Sequence, residues 1–399
     1  MASENFEKRV GFCRILSNVR NLDVDKSNEI LYNMENRLNV GITHGDVNGI
    51  SYELIIKLLA ENRICELCVP ILYGSPKVAA YYRKVLNVEN FNLNTIREPR
   101  EANGKRSNII NCVDDNVKVD LGKETPDSDQ ASMIALKYAL DQLERNEIDV
   151  LTLAPQGPES FLKEEANSLA EYLSKRYNTS ETMSLFVSEK MKMGFVTEYS
   201  KLRDVPHQIT RKNILKKLML LDDTLRIDFT ISKPKIAVLG LNPQVNCGQN
   251  GDEEVDVIVP AIEQARQEGI MAIGPFSADR FFSEKMYEKF DAVLAMYYDQ
   301  GVAAFKAIDE ESAACYVAGL PVICSTSLTE PGYDIVGQNI GDEQGMRNAL
   351  YLAMDVFVHR EQNIELQKNP LPHYDIASNS NESDLNVEQI EGVRAELDD

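Results

Sequence analysis

An α/β architecture, with helices packed on a central sheet, is the fold class this sequence predicts. Three observations predict it. Short apolar runs of strand length recur along the chain, segments with helical periodicity lie between them, and the 399 residues are 43% apolar, enough for a large core. The globular body begins at the strand Asn39-Val40-Gly41-Ile42-Thr43. Val69 to Tyr73 and Val150 to Leu153 read as further strands, followed by Ile236 to Leu241 and Ala292 to Met296. Between them, Gln130 to Arg145 reads as an amphipathic helix, with Ala131, Ile134, Ala135, Tyr138 and Leu143 on one face. Residues 1–37 form a polar, helix-prone extension, and 38–366 form the body. Residues 367–399 form an acidic tail: from Asp375 to Asp399 it carries eight acidic residues and one Arg, a composition that favours disorder.

Composition excludes several functions. The net charge of -21 repels a nucleic-acid backbone or an anionic membrane. No apolar run approaches the ~18 residues needed to span a bilayer, and Met1 to Arg9 carries no hydrophobic signal core, so cytoplasm is the expected compartment. Seven scattered cysteines fit free thiols in a reducing compartment. Cys65-Glu66-Leu67-Cys68 is a CxxC without a second pair, and reads as two ordinary residues flanking a strand.

Two segments carry the chemistry. Gly45-Asp46-Val47-Asn48-Gly49-Ile50-Ser51-Tyr52-Glu53 follows the first strand and opens a helix. Its glycines permit a tight turn, and N–H groups at a helix start suit an anion such as phosphate; a plain strand-to-helix turn is the competing reading. Asp291-Ala292-Val293-Leu294-Ala295-Met296-Tyr297-Tyr298-Asp299-Gln300-Gly301 reads as a buried strand running into a polar turn where a ligand can sit.

These segments resemble those of the 4-hydroxythreonine-4-phosphate dehydrogenases, the NAD- and metal-dependent enzymes of vitamin B6 synthesis. Further matches keep the same order: Leu72-Tyr73-Gly74-Ser75, Leu202-Arg203-Asp204-Val205-Pro206, Val238-Leu239-Gly240-Leu241-Asn242-Pro243, Gly274-Pro275 with Ala278-Asp279, Gly319-Leu320-Pro321, and Tyr333-Asp334-Ile335 with Gly337. The resemblance spans about residues 39 to 360. It implies a two-lobed fold similar to isocitrate and isopropylmalate dehydrogenases, with a central mixed sheet. The first and last thirds would build one lobe and the middle the other. It implies a homodimer with active sites shared between subunits. It also implies a divalent metal, held by three His, that polarises the substrate oxygen while hydride passes to NAD and carbon dioxide is then lost.

Carried over residue by residue, the three metal-ligand positions fall on Tyr199, Gln244 and Tyr298. His44, His207, His359 and His373, the four histidines of the chain, fall on none of them. A phenol must lose a proton near pH ~10 to bind a metal well, and a glutamine oxygen is neutral, so a transition ion is not expected. Magnesium held by Asp279 and Asp299 is the alternative. Substrate-contact positions are changed as well, to Leu169, Ala170, Cys315 and Cys324, and a thiol cannot replace a bidentate Arg. Lys306 matches the family. A loop expected near NAD reads Leu328-Thr329-Glu330-Pro331-Gly332, with a new Pro and a new carboxylate, which argues against NAD binding.

The expected pocket residues are Asp46, Asp279, Asp299 and Lys306, a lining too acidic and phenolic to hold a doubly charged phosphate ester well. Three functional expectations follow. The first is a degenerate family member with a binding, regulatory or scaffolding role. The second is an active NAD-dependent oxidoreductase of B6 synthesis with altered metal or substrate use, for instance with Tyr298 and Lys306 as an acid–base pair in which the ammonium favours the phenolate. The third is a heterodimer with an intact paralogue, into which this chain would bring a dead half-site.

Overall fold

A computed structural model describes residues 37–61, 63–88, 91–114, 117–157, 165–245 and 253–368. Apart from Arg37, the expected N-terminal extension lies outside the described residues, as does the acidic tail from 369 onward. Twelve strands form one sheet: β1 Asn39–Thr43, β2 Val69–Gly74, β3 Asn94–Ile96, β4 Asn108–Asn111, β5 Val150–Leu153, β6 Met183–Val187, β7 Lys192–Thr197, β8 Lys235–Leu239, β9 Met271–Phe276, β10 Ala292–Tyr297, β11 Ala314–Ala318 and β12 Cys324–Ser327. Their helices are α1 Ser51–Ala60, α2 Ile64–Leu67, α3 Pro76–Val85, α4 Pro126–Glu144, α5 Leu169–Arg176, α6 Val205–Gln208, α7 Arg211–Ile227, α8 Val259–Gln267, α9 Ala278–Ser283, α10 Tyr298–Asp309 and α11 Gln344–Gln367. None of these helices is long and apolar enough to cross a membrane.

The strand order β3-β4-β2-β1-β5-β12-β11-β6-β7-β10-β8-β9 is informative. Strands from β3 to β12 in that order pair in parallel, as do those from β7 to β9. The pairings of β11 with β12, β11 with β6, and β6 with β7 are antiparallel, so the two parallel halves run in opposite directions. The expected α/β class and central mixed sheet are both present. Parallel halves need helices on both faces, and here they have them. On one face Ile71, Tyr73, Leu151 and Leu153 pack with Leu136, Ala139, Leu140 and Leu143 of α4. On the other, Val40, Ile42, Leu72 and Val150 pack with Ile55, Ile56 and Leu59 of α1. Each such Val, Leu or Ile side chain contributes ~1.5–3 kcal/mol on burial.

Helix α4 begins four residues before the expected Gln130, because Thr125 and Ser128 form a reciprocal capping box and Pro126 occupies the first turn. Its apolar stripe is also rotated from the expected one. Ala131, Ala135 and Leu143 are buried, but Ile134 and Tyr138 are exposed, and Leu136, Ala139 and Leu140 take the core face instead. The two residues of the CxxC are buried free thiols: Cys65 Sγ lies 3.7 Å from Ser107 Oγ, and Cys68 Sγ donates to Ile64 O at 3.6 Å. Burial pushes the Cys68 thiol up to about 12, so it stays protonated.

The compact body reaches Arg360. In the unit that starts at Glu361, the described residues run to Lys368, which pairs with Glu365.

Candidate active-site cavity

The floor of the cavity follows from strand register. Leu153 of β5 pairs with Thr326 of β12, Thr326 with Cys315 of β11, and Cys315 with Phe186 of β6, while Val317 pairs with Ser184. Directly paired residues project from the same face of a sheet. All six therefore look onto one cavity of about 680 Å³. Its walls are the segments that leave the strand ends: Pro155 to Gly157 after β5, Tyr199 after β7, Tyr298 after β10, and Leu328 to Asp334 after β12. Strands hold the floor rigidly, and the loops decide its chemistry.

Tyr199 and Tyr298 meet in this wall, their hydroxyls 3.4 Å apart and their ring centroids 4.9 Å apart at 35°. Tyr298 is backed by Phe186 and Phe195, with centroids at 6.0 and 5.3 Å. Such ring pairs favour tilted contacts at this range. Lys306, on α10, lines the same cavity, and its Nζ lies 3.6 Å from both Glu310 and Glu330. Leu169 and Cys315 line it too. Burial drives the Cys315 thiol far above its ordinary range, so it acts as a small neutral group.

Other expected site residues lie elsewhere. Ala170 and Cys324 belong to the core cluster against α4, and burial pushes the Cys324 thiol up to about 12. Gln244, Asp279 and Asp299 are exposed and do not line the cavity. Asp46 is buried behind the wall, where its Oδ1 accepts from Asn48 N at 2.8 Å and its Oδ2 from the Tyr333 hydroxyl. Burial, with the Asp46 carboxylate beside it, holds the Tyr333 phenol protonated. Asp46 is thus a tether for the wall.

The turn after β1 is engaged in the same way, with several of its N–H groups taken by protein acceptors. Asp46 N donates to Pro155 O at 3.0 Å, Gly49 N to Asp46 O at 3.4 Å, and Ile50 N to Pro331 O at 2.8 Å. A Cβ at Gly49 would stand 2.4 Å from Pro331 O, so glycine is what lets the wall segment close on the turn. Farther along, Glu53 Oε1 accepts from Gly341 N and Lys57 Nζ, both at 2.8 Å, and Lys57 also donates to Gly341 O at 2.7 Å. The segment after β12 is therefore latched to α1 at both ends.

Several positioning groups escaped the sequence reading. Glu198 accepts from both the backbone N and the hydroxyl of Ser184, at 2.8 and 2.7 Å, and so orients a floor residue. Gln300 bridges strand ends, accepting from Met296 N at 2.8 Å and donating to Gly240 O at 2.6 Å. Buried Glu254 accepts from Leu241 N and Asn242 N at 2.8 and 2.7 Å. Only the Asp299-Gln300-Gly301 motif hinted at any of these; the other two lie in sequence among many acidic residues that look alike.

The donor set does not fit a metal held by three imidazoles. His44 is buried, with Nε2 3.2 Å from Ala131 O, and burial lowers its pKa to about 4. His359 Nδ1 is 2.7 Å from Asp228 O, His207 is exposed on α6, and His373 lies outside the described residues. No described histidine lines the cavity. Among the described residues, no three His, Cys, Asp or Glu side chains converge as metal ligands.

Comparison with known proteins agrees with the fold. A sequence profile described as "Pyridoxal phosphate biosynthetic protein PdxA" matches residues 66–353. The 4-hydroxythreonine-4-phosphate dehydrogenase of Bacteroides thetaiotaomicron is 38% identical over 341 residues, covering 84% of this chain and 93% of that protein. The enzyme of the same name from a Sulfurihydrogenibium species is 32% identical over 320 residues, covering 79% and 97% respectively. The crystal structure of the 4-hydroxythreonine-4-phosphate dehydrogenase from Klebsiella pneumoniae superposes with a TM-score of 0.67 at 24% identity, covering 80% of this chain and 99% of that one. With a family profile matched over residues 66–353 and a relative 38% identical along most of its length, this chain belongs to the PdxA family of 4-hydroxythreonine-4-phosphate dehydrogenases.

Proposed function

We propose that this chain is a family member that has lost metal-dependent, NAD-linked oxidative decarboxylation and uses its cleft for binding or regulation. The observation that carries the reading is the Tyr199–Tyr298 pair, two rings and two hydroxyls packed together where the resemblance implies imidazole ligands. A neutral phenol pair is a poor donor set for a divalent ion, and without that ion the enolate formed on loss of carbon dioxide lacks its main electrostatic support. The pairing of Lys306 with Glu310 and Glu330 supports the same reading, since it weakens the cavity's hold on an anionic substrate. In this reading the cleft lies between an outer lobe, wound from the first and last thirds of the body, and an inner lobe from the middle; the strand order supports that division.

Mixing the purified protein with NAD, 4-phosphooxy-threonine and zinc, manganese or magnesium tests the proposal. No metal-dependent NADH formation is expected, and calorimetry is expected to detect neither NAD nor zinc binding. Robust metal-dependent NADH formation would overturn it. A second reading, activity with altered metal or substrate use, draws on Lys306 and Tyr298 lining one cavity. If Lys306→Met left every observed activity intact, that acid–base assignment would fail. We also propose a cytoplasmic homodimer, or a heterodimer with an intact paralogue in which this chain tunes its partner. Isolation of homodimers alone from the native cell would exclude the second arrangement.

A further inference from the structure

Among the described residues that line the cavity, Lys306 is the one Lys or Arg. A lysine in such a place ordinarily supplies the charge that draws an anion in. Here Glu330 Oε1, from the opposite wall, lies 3.6 Å from its Nζ, and Glu310 Oε1, one turn on at the cap of α10, lies at the same distance. Asp334 is a second carboxylate of the lining, beside Glu330.

Glu330 itself is largely exposed, its side chain 81% accessible against 28% for Lys306, so solvent screens the pair from one side. Its backbone, however, is held on both flanks. Thr329 N donates to Ser327 Oγ at 2.9 Å, Pro331 O accepts from Ile50 N at 2.8 Å, and Tyr333 is tied to Asp46. Proline at 331 restricts the chain further. The carboxylate is therefore presented to Lys306 by a pre-ordered segment, at little entropic cost beyond that of its own side chain.

We propose that Glu330 is a specificity-determining residue: it gives Lys306 a resident counter-ion and so reserves the cavity for uncharged, hydroxyl-bearing small molecules. This deepens, and rests on, the reading of the cleft as a binding site. A phosphate approaching Lys306 meets like charge from Glu330 and Glu310. An uncharged polyol leaves the ion pair in place and meets Ser184, Ser327, Thr329 and the phenols of Tyr199 and Tyr298, groups that exchange hydrogen bonds with hydroxyls.

Inorganic phosphate, titrated calorimetrically at constant ionic strength, tests the assignment in the wild-type protein, Glu330→Gln, Lys306→Met and the double variant. Glu330→Gln is expected to bind phosphate about tenfold more tightly than wild type, the order expected on removing a like charge a few ångströms from an anion in partly screened surroundings. The gain is expected to vanish in the double variant. An affinity of Glu330→Gln within twofold of wild type, or a gain that survives loss of Lys306, would overturn the proposal. Because Glu330 makes no buried contact, a thermal melt matching wild type is expected and separates this effect from misfolding. Equal phosphate affinities would remove the charge assignment without restoring catalysis, whereas metal-dependent NADH formation would remove the functional reading without altering the phosphate result.

Discussion

The turn that follows β1 and the wall formed after β7 and β10 are both strand ends, yet they dispose of their polar groups in opposite ways. In the turn, residues 44–50 are buried, and donors from Asp46, Asn48, Gly49 and Ile50 are bonded to protein acceptors. In the wall, Tyr199, Tyr298 and Lys306 are partly open to the cavity and meet one another or carboxylates. The turn resembles the family's motif and is a seat for another part of the chain. The wall carries Tyr199 and Tyr298 where the resemblance implies imidazoles, beside the family-matching Lys306.

Backbone change at the seat is the most forceful way to break that contrast. Gly45 has φ +65°, and a Cβ there would stand 2.2 Å from Pro155 O. Gly45→Ala is expected to cost about 3 kcal/mol, from left-handed strain plus overpacking, read by urea denaturation. A loss under about 1 kcal/mol would mean that the turn is not the rigid seat described.

Acid titration tests the same region at similar size. The folded pKa of His44, about 4, lies below its ordinary value of 6.5. The unfolded chain therefore binds more protons between those values, so this group's contribution is intact above pH ~6.5 and is lost as pH falls toward 4, by about 3 kcal/mol. Asp355 acts in the opposite sense, because burial pushes it up to about 7 and its folded form favours the proton at low pH. The wild-type profile is thus a difference of two slopes. Comparing wild type with His44→Gln isolates the histidine: the variant is expected to lose less stability between pH 6.5 and 4.

Smaller effects sharpen the comparison. Tyr333→Phe removes the hydroxyl that donates to Asp46 and leaves a buried carboxylate oxygen short of a partner, a cost of about 1–3 kcal/mol in denaturant. Tyr298→Phe removes a hydroxyl that opens on the cavity and keeps the ring contacts to Phe186 and Phe195, so stability is expected to change by less than about 1 kcal/mol. Similar losses for the two phenols would erase the distinction between seat and wall.

Much of the scaffold was legible without coordinates. Asn39–Thr43 and Val150–Leu153 are the strands their apolar runs suggest, and the α/β class followed from alternation alone. The cavity floor was not legible. Apart from Leu153 of β5 it stands on β6, β11 and β12, and a stretch such as Cys324–Ser327 is short and polar enough to pass for a loop. It becomes a strand because β5 and β11 offer it partners, a non-local cause that periodicity cannot register. The stripe of α4 differs for a related reason: Ile134 and Tyr138 are apolar enough for the core, but packing against β2 and β5 takes Leu136, Ala139 and Leu140 inward instead.

Residue identity alone determined the ancestry of this chain and the absence of imidazoles from Tyr199, Gln244 and Tyr298, since donor chemistry belongs to the side chain wherever it is placed. Only the tertiary structure decided which altered residues share a space. It put Tyr199, Tyr298 and Lys306 around one cavity, left Gln244, Asp279 and Asp299 outside it, and brought Glu330 up to Lys306 from 24 positions away in the chain. The reason is physical: pairing of distant strands fixes those distances, and no local sequence pattern encodes them.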